Sequence, residues 1–214
     1  MNSGRRKWLA HFTVLALAGP ALLGHAAEPA TILVVGDSLS AEYGLRRGSG
    51  WVALLDQRLA QQKIAAQVVN ASISGDTTSG GRSRLAALLK QHRPTLVVLE
   101  LGGNDALRGL PLAMTQANLG EMTRMARAAG ARVVIVGMQV PPNYGRKYSD
   151  DFAALFAAVA QREGAALVPF LLKGVADAPQ AEALFQPDRI HPREAAHVTM
   201  LANVWPVLQG LLPR

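Results

Sequence analysis

The sequence predicts an α/β fold, a three-layer α/β/α sandwich built around a five-stranded parallel sheet. Short runs of apolar and β-branched residues alternate along the chain with longer segments of helical periodicity. The helical segments are long enough to form right-handed crossovers between parallel strands, and such crossovers place helices on both faces of a sheet. Five strands in this arrangement favour the flavodoxin-like strand order 2-1-3-4-5.

The first strand and the first helix show the pattern most clearly. Residues 31–35 are all apolar or β-branched and stop at Gly36, as a buried parallel strand does when it ends in a tight turn. In the first helix, 51–62, Leu55 and Leu59 lie one turn apart on the same face. A buried strand, a polar turn and an amphipathic helix therefore form the basic unit of the fold.

The remaining elements follow in the same order. Strands are predicted at 65–71, 95–101, 132–138 and 165–169, and helices at 80–92, 111–129, 150–162 and, for the most part, 192–212. Arg93 and Pro94 separate the second helix from the third strand, and Gly130 closes the next helix. Because no linker, low-complexity tract or internal sequence repeat divides the chain, residues 27–214 are predicted to form one domain.

Residues 1–26 are predicted to be a secretory signal peptide. Basic residues at 5–7 precede a mostly apolar run at 9–23, and small residues within 24–26 provide a cleavage site. The apolar run is shorter than the roughly 20 residues of a spanning helix, so a retained membrane anchor is the less favoured alternative. We expect a periplasmic or secreted protein with no anchor after cleavage. Sec-type export is favoured, and the paired arginines leave the twin-arginine route open.

The composition excludes several classes of protein and site. The chain has no cysteine, which rules out a disulfide framework, a thiolate nucleophile, a cysteine metal site and a lipoprotein anchor. The net charge is +7, of which the three basic residues of the signal account for 3, so the mature chain carries +4. Because these basic residues are scattered and aromatic residues make up only 5 %, a nucleic-acid partner is not expected. A monomer is expected.

Polar residues follow each of the first three predicted strands, and a fourth polar cluster lies near the C-terminus. Ser38 comes just after the first strand, where the carboxyl ends of parallel strands form the usual ligand-binding edge. Asp188 and His191 lie three residues apart, a spacing that lets a carboxylate reach an imidazole and fix its tautomer. Taken singly, each has a simpler interpretation, Ser38 as a helix cap and the other two residues as a surface pair or cap.

Together, these three residues indicate nucleophilic catalysis. A serine hydroxyl is a poor nucleophile until a positioned base removes its proton, and that base works best when a third group orients it. The chain supplies the three groups in the order Ser38, Asp188 and His191. The Gly-x-Ser-x-Gly elbow of α/β-hydrolases is absent because Ser40 stands at the second glycine position. A different hydrolase fold is therefore required.

The sequence resembles the GDSL or SGNH hydrolase family in four blocks. These are Gly36-Asp37-Ser38-Leu39-Ser40, Gly75 after the second strand, Gly102-Gly103-Asn104-Asp105, and Asp188-x-x-His191-Pro192, and they match in order and spacing. The similarity covers essentially the whole mature chain. Further matches at 44–45, 50–55, 70–77 and 141–145 look like the subfamily of secreted multifunctional thioesterase I, lysophospholipase L1 and arylesterase.

The resemblance implies a role for a residue in each block. Ser38 would be the nucleophile, His191 the general base, and Asp188 the group that orients the base. The oxyanion hole would consist of the backbone N–H groups of Ser38 and Gly75 and the side chain of Asn104, which are neutral donors suited to a developing negative charge. Gly75 as a simple turn glycine and Asn104 as an Asx-turn residue remain the alternatives.

Other charged residues of these blocks are expected to be structural. Asp37 and Asp105 should hold loops through hydrogen bonds to the backbone, and Arg108 should be an ion-pair or solvent residue of its loop. A metal site built from Asp37, Asp76 and Asp105 would lack histidine or cysteine partners. No metal and no cofactor is therefore predicted.

The same resemblance implies a secreted serine esterase that hydrolyses carboxylic esters and thioesters through an acyl-enzyme. Its substrates would be small acyl esters or thioesters, such as aryl esters, acyl-CoA and lysophospholipid-type molecules. An apolar wall for the acyl chain is expected, by resemblance to the substrate loops of the subfamily, from Leu107, Leu110, Pro111, Asn143 and Tyr144.

Two alternative functions remain open at this point. The same fold supports a carbohydrate or peptidoglycan O-acetyl esterase, although such an enzyme would favour more aromatic residues along an open cleft than this chain has. A non-catalytic, flavodoxin-like module that binds a phosphate or nucleotide belongs to a different class. That module would need a glycine-rich fingerprint after the first strand, and Gly36-Asp37-Ser38-Leu39-Ser40 is not one.

Overall fold

A five-stranded sheet forms the centre of the computed structural model, which describes residues 29–212 and Met1. The strands are β1 (Ala30–Gly36), β2 (Ala66–Asn70), β3 (Leu96–Glu100), β4 (Arg132–Val136) and β5 (Ala166–Val168). Their order across the sheet is β2-β1-β3-β4-β5, and every neighbouring pair is parallel. The predicted fold class and strand order are confirmed.

Helices cover both faces of this sheet. They are α1 (Trp51–Gln61), α2 (Thr78–His92), α3 (Gly103–Leu107), α4 (Leu112–Ala128), α5 (Arg146–Glu163), α6 (Ala181–Leu184) and α7 (His197–Gln209), with 3₁₀ turns at Pro142–Tyr144 and Glu194–Ala196. The helices α2, α4 and α5 pack side by side over one face, and α1 and α7 pack together over the other. Among the described residues, no helix combines the length and the apolar character that a membrane span requires.

The apolar runs of the sequence become strands that are buried on both faces. All seven residues of β1 and all five of β3 are buried. These two strands are neighbours in the middle of the sheet, with Val35 in register with Leu99. Trp51 of α1 and Phe152 of α5 are fully buried in the core around them. The residues that follow these strands are therefore attached to a tightly packed frame.

The structure departs from the predicted elements mainly beside the site. The polar segment after β3 forms the short helix α3, which has too few residues to show an apolar periodicity. The last helix begins at His197 and not at 192, because the preceding residues form a loop and a 3₁₀ turn. The other predicted boundaries lie within four residues of those observed. Residues 2–26 of the predicted signal peptide lie outside the described residues.

Candidate active site

Ser38 lies in a tight turn directly after β1. The Asp37 carboxylate accepts the backbone N–H of Leu39 at 3.0 Å and so holds the turn around Ser38. Gly36 is needed at the end of the strand, because a Cβ there would come within 2.8 Å of the Glu100 carboxylate. Close packing at the end of β1 therefore requires a residue without a side chain at position 36. Ser38, two residues later, is partly exposed.

Asp188 and His191 lie on one short loop, which a backbone hydrogen bond from Gln186 N–H to the His191 carbonyl closes at 2.8 Å. Within the loop, one Asp188 oxygen accepts the backbone N–H groups of Ile190 and His191, both at 3.0 Å. The other oxygen lies 2.8 Å from Nδ1 of His191. Arg189 has a left-handed φ of 57°, which turns the chain tightly enough for these contacts. The loop by itself therefore brings the carboxylate to the imidazole.

The ionisation of Asp188 fixes the tautomer of the histidine. Burial acts to raise the pKa of Asp188, but hydrogen bonds from the backbone N–H groups of His191 and Ile190 and from the imidazole outweigh it and lower the pKa to about 2. A carboxylate can only accept hydrogen bonds, so Nδ1 of the neutral imidazole carries the proton. Nε2 of His191 then presents its lone pair.

The fold brings this lone pair to Ser38. Nε2 of His191 lies 2.9 Å from Oγ of Ser38, across 153 residues of sequence. The Gln186 side chain donates to the carbonyl of Tyr43 at 2.9 Å and ties the histidine loop to the turn that contains the serine. The Tyr43 ring packs on the imidazole with 4.3 Å between ring centroids. Ser38, His191 and Asp188 thus form one hydrogen-bonded chain.

Asn104 lies on α3, immediately after the neighbouring strand β3. Its Nδ2 donates to Oδ2 of Asp37 at 3.0 Å, which connects α3 to the turn that holds Ser38. An amide nitrogen has two N–H groups, so one of them is left for a further acceptor. The side chain is partly exposed, and that acceptor can come from solvent or from a ligand.

Gly75 lies in the loop that follows β2. The backbone N–H of Ile73 donates to the carbonyl of Gly36 at 3.0 Å and places this loop beside the turn of Ser38. Gly75 has a left-handed φ of 80°, which glycine adopts without steric cost. The guanidinium of Arg108 donates to its carbonyl at 2.7 Å. Within residues 29–212, no hydrogen bond uses the backbone N–H of Gly75 or of Ser38, so both groups are available to a ligand.

A pair of buried acids lies beneath the serine. Asp37 and Glu100 are each only 2 % exposed. Burial raises the pKa of Asp37 to about 6, against hydrogen bonds that lower it. Burial and then the charge of Asp37 raise the pKa of Glu100 well above its ordinary value. The Ser40 hydroxyl donates to Glu100 at 2.7 Å and accepts the Trp51 indole N–H at 3.2 Å, so this acid is part of a hydrogen-bonded network.

Three aspartates that follow the first three strands hold their loops in place, and for Asp37 and Asp105 this was predicted. Asp37 accepts the N–H of Leu39, Asp76 accepts Nε of Arg84 at 2.9 Å, and Asp105 accepts the N–H of Thr78 at 2.8 Å. Within the part of the chain that the structure describes, no group of three or more His, Cys, Asp or Glu is arranged to hold a metal ion.

The predicted apolar wall is divided between two loops. Leu107, at the end of α3, is 42 % exposed, and it is followed by the partly buried Leu110 and the exposed Pro111. Asn143 and Tyr144 lie in the 3₁₀ turn after β4, where the Tyr144 ring stacks on Tyr148 with 6.0 Å between centroids. Leu107 shares its helix with Asn104, which supports a place near the site. The role of these five residues in binding an acyl chain stays a prediction.

Comparison with known proteins assigns the family. The model of the GDSL-like Lipase/Acylhydrolase family matches residues 34–198, which contain the whole hydrogen-bonded chain. The protein belongs to this family. It is similar to "Esterase TesA" of Pseudomonas aeruginosa, with 52 % identity over 191 residues that cover 89 % of this chain and 94 % of the relative.

Two further matches agree with this assignment. "Thioesterase 1/protease 1/lysophospholipase L1" of Escherichia coli strain K12 is 41 % identical over 190 residues, which cover 89 % of this chain and 86 % of the relative. The crystal structure of TesA superposes with a TM-score of 0.82 and 53 % identity, covering 85 % of this chain and 99 % of that chain. The resemblance to this subfamily and the prediction of an ester hydrolase are confirmed. The alternative of a non-catalytic binding module is wrong.

Sequence reasoning missed three contributors to the site. Glu100 could have been noticed, because a carboxylate that ends an otherwise apolar strand has to be buried with it. The stacking of Tyr43 on His191 had no signal in the sequence, since it depends on how two distant loops meet. Arg108 was expected to be an ion-pair or solvent residue, but it donates to the Gly75 carbonyl, because the loop after α3 passes directly beside the loop after β2.

Proposed function

We propose that this chain is a secreted serine esterase that hydrolyses carboxylic esters and thioesters through an acyl-enzyme. The observation that supports the proposal is the hydrogen-bonded chain from Ser38 Oγ to His191 Nε2 at 2.9 Å and from His191 Nδ1 to Asp188 at 2.8 Å. Nucleophile, base and orienting acid in this order are the groups that activate a serine hydroxyl.

Acylation follows from the protonation states at the site. Oγ of Ser38 attacks the carbonyl carbon of the ester while Nε2 of His191 takes the hydroxyl proton. The resulting imidazolium is stabilised by Asp188, which is ionised because its pKa is about 2. His191 then gives this proton to the leaving alcohol or thiol as the bond to it breaks, and the acyl group remains on Ser38.

The negative charge that develops on the carbonyl oxygen would be bound by three neutral donors. These are the backbone N–H groups of Ser38 and Gly75, which have no other acceptor among residues 29–212, and the second N–H of Asn104. Asp37 supports this arrangement, since it accepts the first Asn104 N–H and turns the amide. Donors fixed in advance in this way contribute most to catalysis of acyl transfer.

Deacylation uses the same groups in reverse. A water molecule gives a proton to Nε2 of His191 and attacks the acyl carbonyl, the same donors bind the oxyanion, and Ser38 leaves with the proton returned from His191. The histidine can reach both water and serine because it is partly exposed at the surface, with 17 % of its side chain accessible.

The substrate class is supported by the relatives and by Leu107. A protein named thioesterase 1 and lysophospholipase L1 is 41 % identical to this chain, and we infer that acyl-CoA thioesters and lysophospholipid esters are substrates here as well. Leu107 presents an apolar side chain on the same helix as Asn104, where an acyl chain would lie. The signal at 1–26 supports export to the periplasm or the medium, and we expect the mature protein to be a monomer.

Covalent labelling tests whether Ser38 is the nucleophile. A phosphonate that labels activated serines should attach to one residue, and peptide mass spectrometry should locate it at Ser38. The Ser38→Ala variant should fold, resist labelling and lose nearly all hydrolysis of aryl esters and acyl-CoA. A label on any other residue, or undiminished hydrolysis by Ser38→Ala, would contradict the proposal.

A chain-length series tests the substrate class. Each methylene that becomes buried should raise kcat/KM by up to about fourfold, since its burial is worth about 0.8 kcal/mol, until the groove is filled. Medium-chain p-nitrophenyl esters and acyl-CoA thioesters should therefore be better substrates than acetyl esters. A maximum at acetyl with no thioesterase activity would instead favour the O-acetyl esterase.

A further inference from the structure

Within residues 29–212, the exposed large apolar side chains concentrate around the candidate site. Those exposed by 42 % or more in this part of the chain are Tyr43, Ile73, Leu107, Ile190 and Val198. The first four lie on loops that carry site residues, and we call them the apolar rim. Large apolar groups kept in water close to one another usually mark an interaction site.

Each member of the rim is fixed to the site by a short stretch of chain or by a contact. Tyr43 packs on the imidazole of His191, and Ile190 directly precedes that histidine. Ile73 lies two residues before Gly75, and Leu107 lies three residues after Asn104. These loops follow the carboxyl ends of neighbouring parallel strands or are tied to them, so the four side chains share one edge of the molecule.

Arginines accompany the rim on the same loops. Arg46 and Arg47 follow Tyr43, Arg108 follows Leu107, Arg189 precedes Ile190, and all four arginines are exposed. Two exposed carboxylates offset part of this charge, since Glu194 lies 2.8 Å from Arg46 and Glu182 lies 3.6 Å from Arg189. Arg47 has no ion-pair partner within residues 29–212.

Two further acidic residues of these loops are hydrogen-bonded within the protein. Glu42 accepts the backbone N–H groups of Gly48 and Gly50, at 3.0 and 2.7 Å. Asp188 is bound to His191 and to its own loop. The edge of the molecule that carries the site therefore presents apolar side chains beside two exposed arginines, Arg47 and Arg108, that have no ion-pair partner within residues 29–212.

We propose that the apolar rim docks on the surface of an anionic lipid aggregate, so that acyl esters enter the site from that surface. Apolar side chains placed on separate loops beside arginines are suited to a bilayer or micelle surface, where the apolar groups reach the acyl boundary and the arginines meet anionic headgroups. This interaction goes beyond the proposed function, because hydrolysis of a dissolved ester needs only the site residues.

Sedimentation with lipid vesicles tests the docking separately from catalysis. The Ser38→Ala protein, purified from the exported pool and verified by mass spectrometry, should sediment with vesicles of phosphatidylglycerol and phosphatidylcholine but only weakly with phosphatidylcholine alone. Ile73→Ser in that background should weaken vesicle binding about tenfold, because one large apolar side chain is no longer buried. Leu211→Ser, which shortens a partly buried apolar side chain beyond the C-terminal end of α7, away from the edge that carries the site, should bind normally.

The charge is tested in the same assay. Arg47→Gln should weaken binding about fivefold at low salt, since one arginine near an anionic surface contributes about that factor. Arg132→Gln should bind normally, because this exposed arginine lies at the start of β4, on the opposite edge of the sheet. Raised salt should weaken the binding of the Ser38→Ala protein and reduce the difference between these two variants.

Three outcomes would overturn the proposal. They are no sedimentation with anionic vesicles, equal sedimentation with both lipid mixtures, and equal binding by Ile73→Ser and Leu211→Ser. A dimer of the chain in lipid-free buffer that Ile73→Ser dissociates would also overturn it, in favour of a second copy as the partner. The otherwise native Ile73→Ser enzyme should still hydrolyse dissolved short-chain aryl esters, so a failure of docking is distinguishable from a failure of the proposed activity.

Discussion

The carboxylate of Asp105 holds the first residue of α2, since it accepts the backbone N–H of Thr78 at 2.8 Å and the Thr78 hydroxyl as well. Both residues are completely buried. Asp105 directly follows Asn104, and Thr78 lies three residues after Gly75, so this contact sets the distance between two predicted oxyanion donors. The contact thus joins the loop after β2 to the helix after β3.

Asp105→Ala should destabilise the protein and slow the reaction. Two buried donors of Thr78 would lose their acceptor, at a cost of about 3 kcal/mol in the free energy of unfolding. Asp105→Asn keeps one acceptor oxygen, so its free energy of unfolding should fall by about half as much. Urea unfolding and kcat for an aryl ester measure the two effects. The control is Asp56→Ala, at an exposed position of α1. If Asp105→Ala lowers the free energy of unfolding and kcat no more than this control does, the prediction is contradicted.

Asn104→Ala should lower kcat more than it raises KM. One lost oxyanion donor costs a factor of about 10² to 10³ in turnover, because the donor acts mainly on the transition state. The variant should still fold, with a loss of about 1 kcal/mol in the free energy of unfolding, because the buried Asp37 carboxyl loses one hydrogen bond. An unchanged kcat would reassign Asn104 to a purely structural role.

Arg108→Gln should reduce kcat by about threefold to tenfold, with little change in KM for a short-chain ester. Its guanidinium donates to the carbonyl of Gly75, and loss of a partly screened hydrogen bond from a charged group has roughly this effect on a loop position. Arg82→Gln removes an exposed arginine of α2 and should leave kcat unchanged. Equal rates for the two variants would argue against any positioning of Gly75 by Arg108.

Glu100→Gln should leave the free energy of unfolding nearly unchanged near neutral pH. Burial raises the pKa of Glu100 well above its ordinary value, so a neutral amide resembles the protonated acid and can accept from Ser40 in the same way. Glu100→Ala should lower the free energy of unfolding by about 3 kcal/mol, because it leaves a cavity and a Ser40 hydroxyl without an acceptor. Similar losses in both variants, measured by urea unfolding, would show that Glu100 acts as a carboxylate.

The contribution of Asp37 to the stability of the folded protein should fall as pH rises from about 4 through about 6. Burial raises the pKa of Asp37 from 3.8 to about 6, so the folded state binds a proton that the unfolded state has already released in this window. Asp37 therefore stabilises the folded state at pH values below its unfolded pKa. This contribution, about 2 to 3 kcal/mol in the free energy of unfolding, is lost as pH rises through its folded pKa.

Urea unfolding at pH 4, 5, 6 and 7 tests this dependence against Asp37→Asn, which cannot titrate. The difference in unfolding free energy between native protein and variant should change steadily up to pH 6 and level off near pH 7, because half of the folded molecules still hold the proton at the pKa. Parallel profiles would mean that Asp37 has an ordinary pKa despite its burial.

The sequence predicted the strands and the positions where they end well, because both depend on local patterns. A buried run that stops at Gly36 predicts where Ser38 lies, and the spacing of Asp188 and His191 predicts their contact. The helix α3 escaped prediction because five residues carry no usable periodicity. The contact of Asp105 with Thr78 escaped it because the two residues lie 27 positions apart and meet only through the sheet.

One loop contains both Asp188 and His191, so their contact does not depend on how the loop packs against the rest of the protein. Asp188 and His191 are held by hydrogen bonds within six residues of chain, from Gln186 to His191, so their mutual geometry is a local property. Only the separation of His191 and Ser38 depends on the tertiary structure. A displacement of the loop as a rigid body would therefore interrupt the proposed activation of Ser38 while the contact of Asp188 with His191 stays intact, and its return would restore the proposed activity without any rearrangement inside that pair.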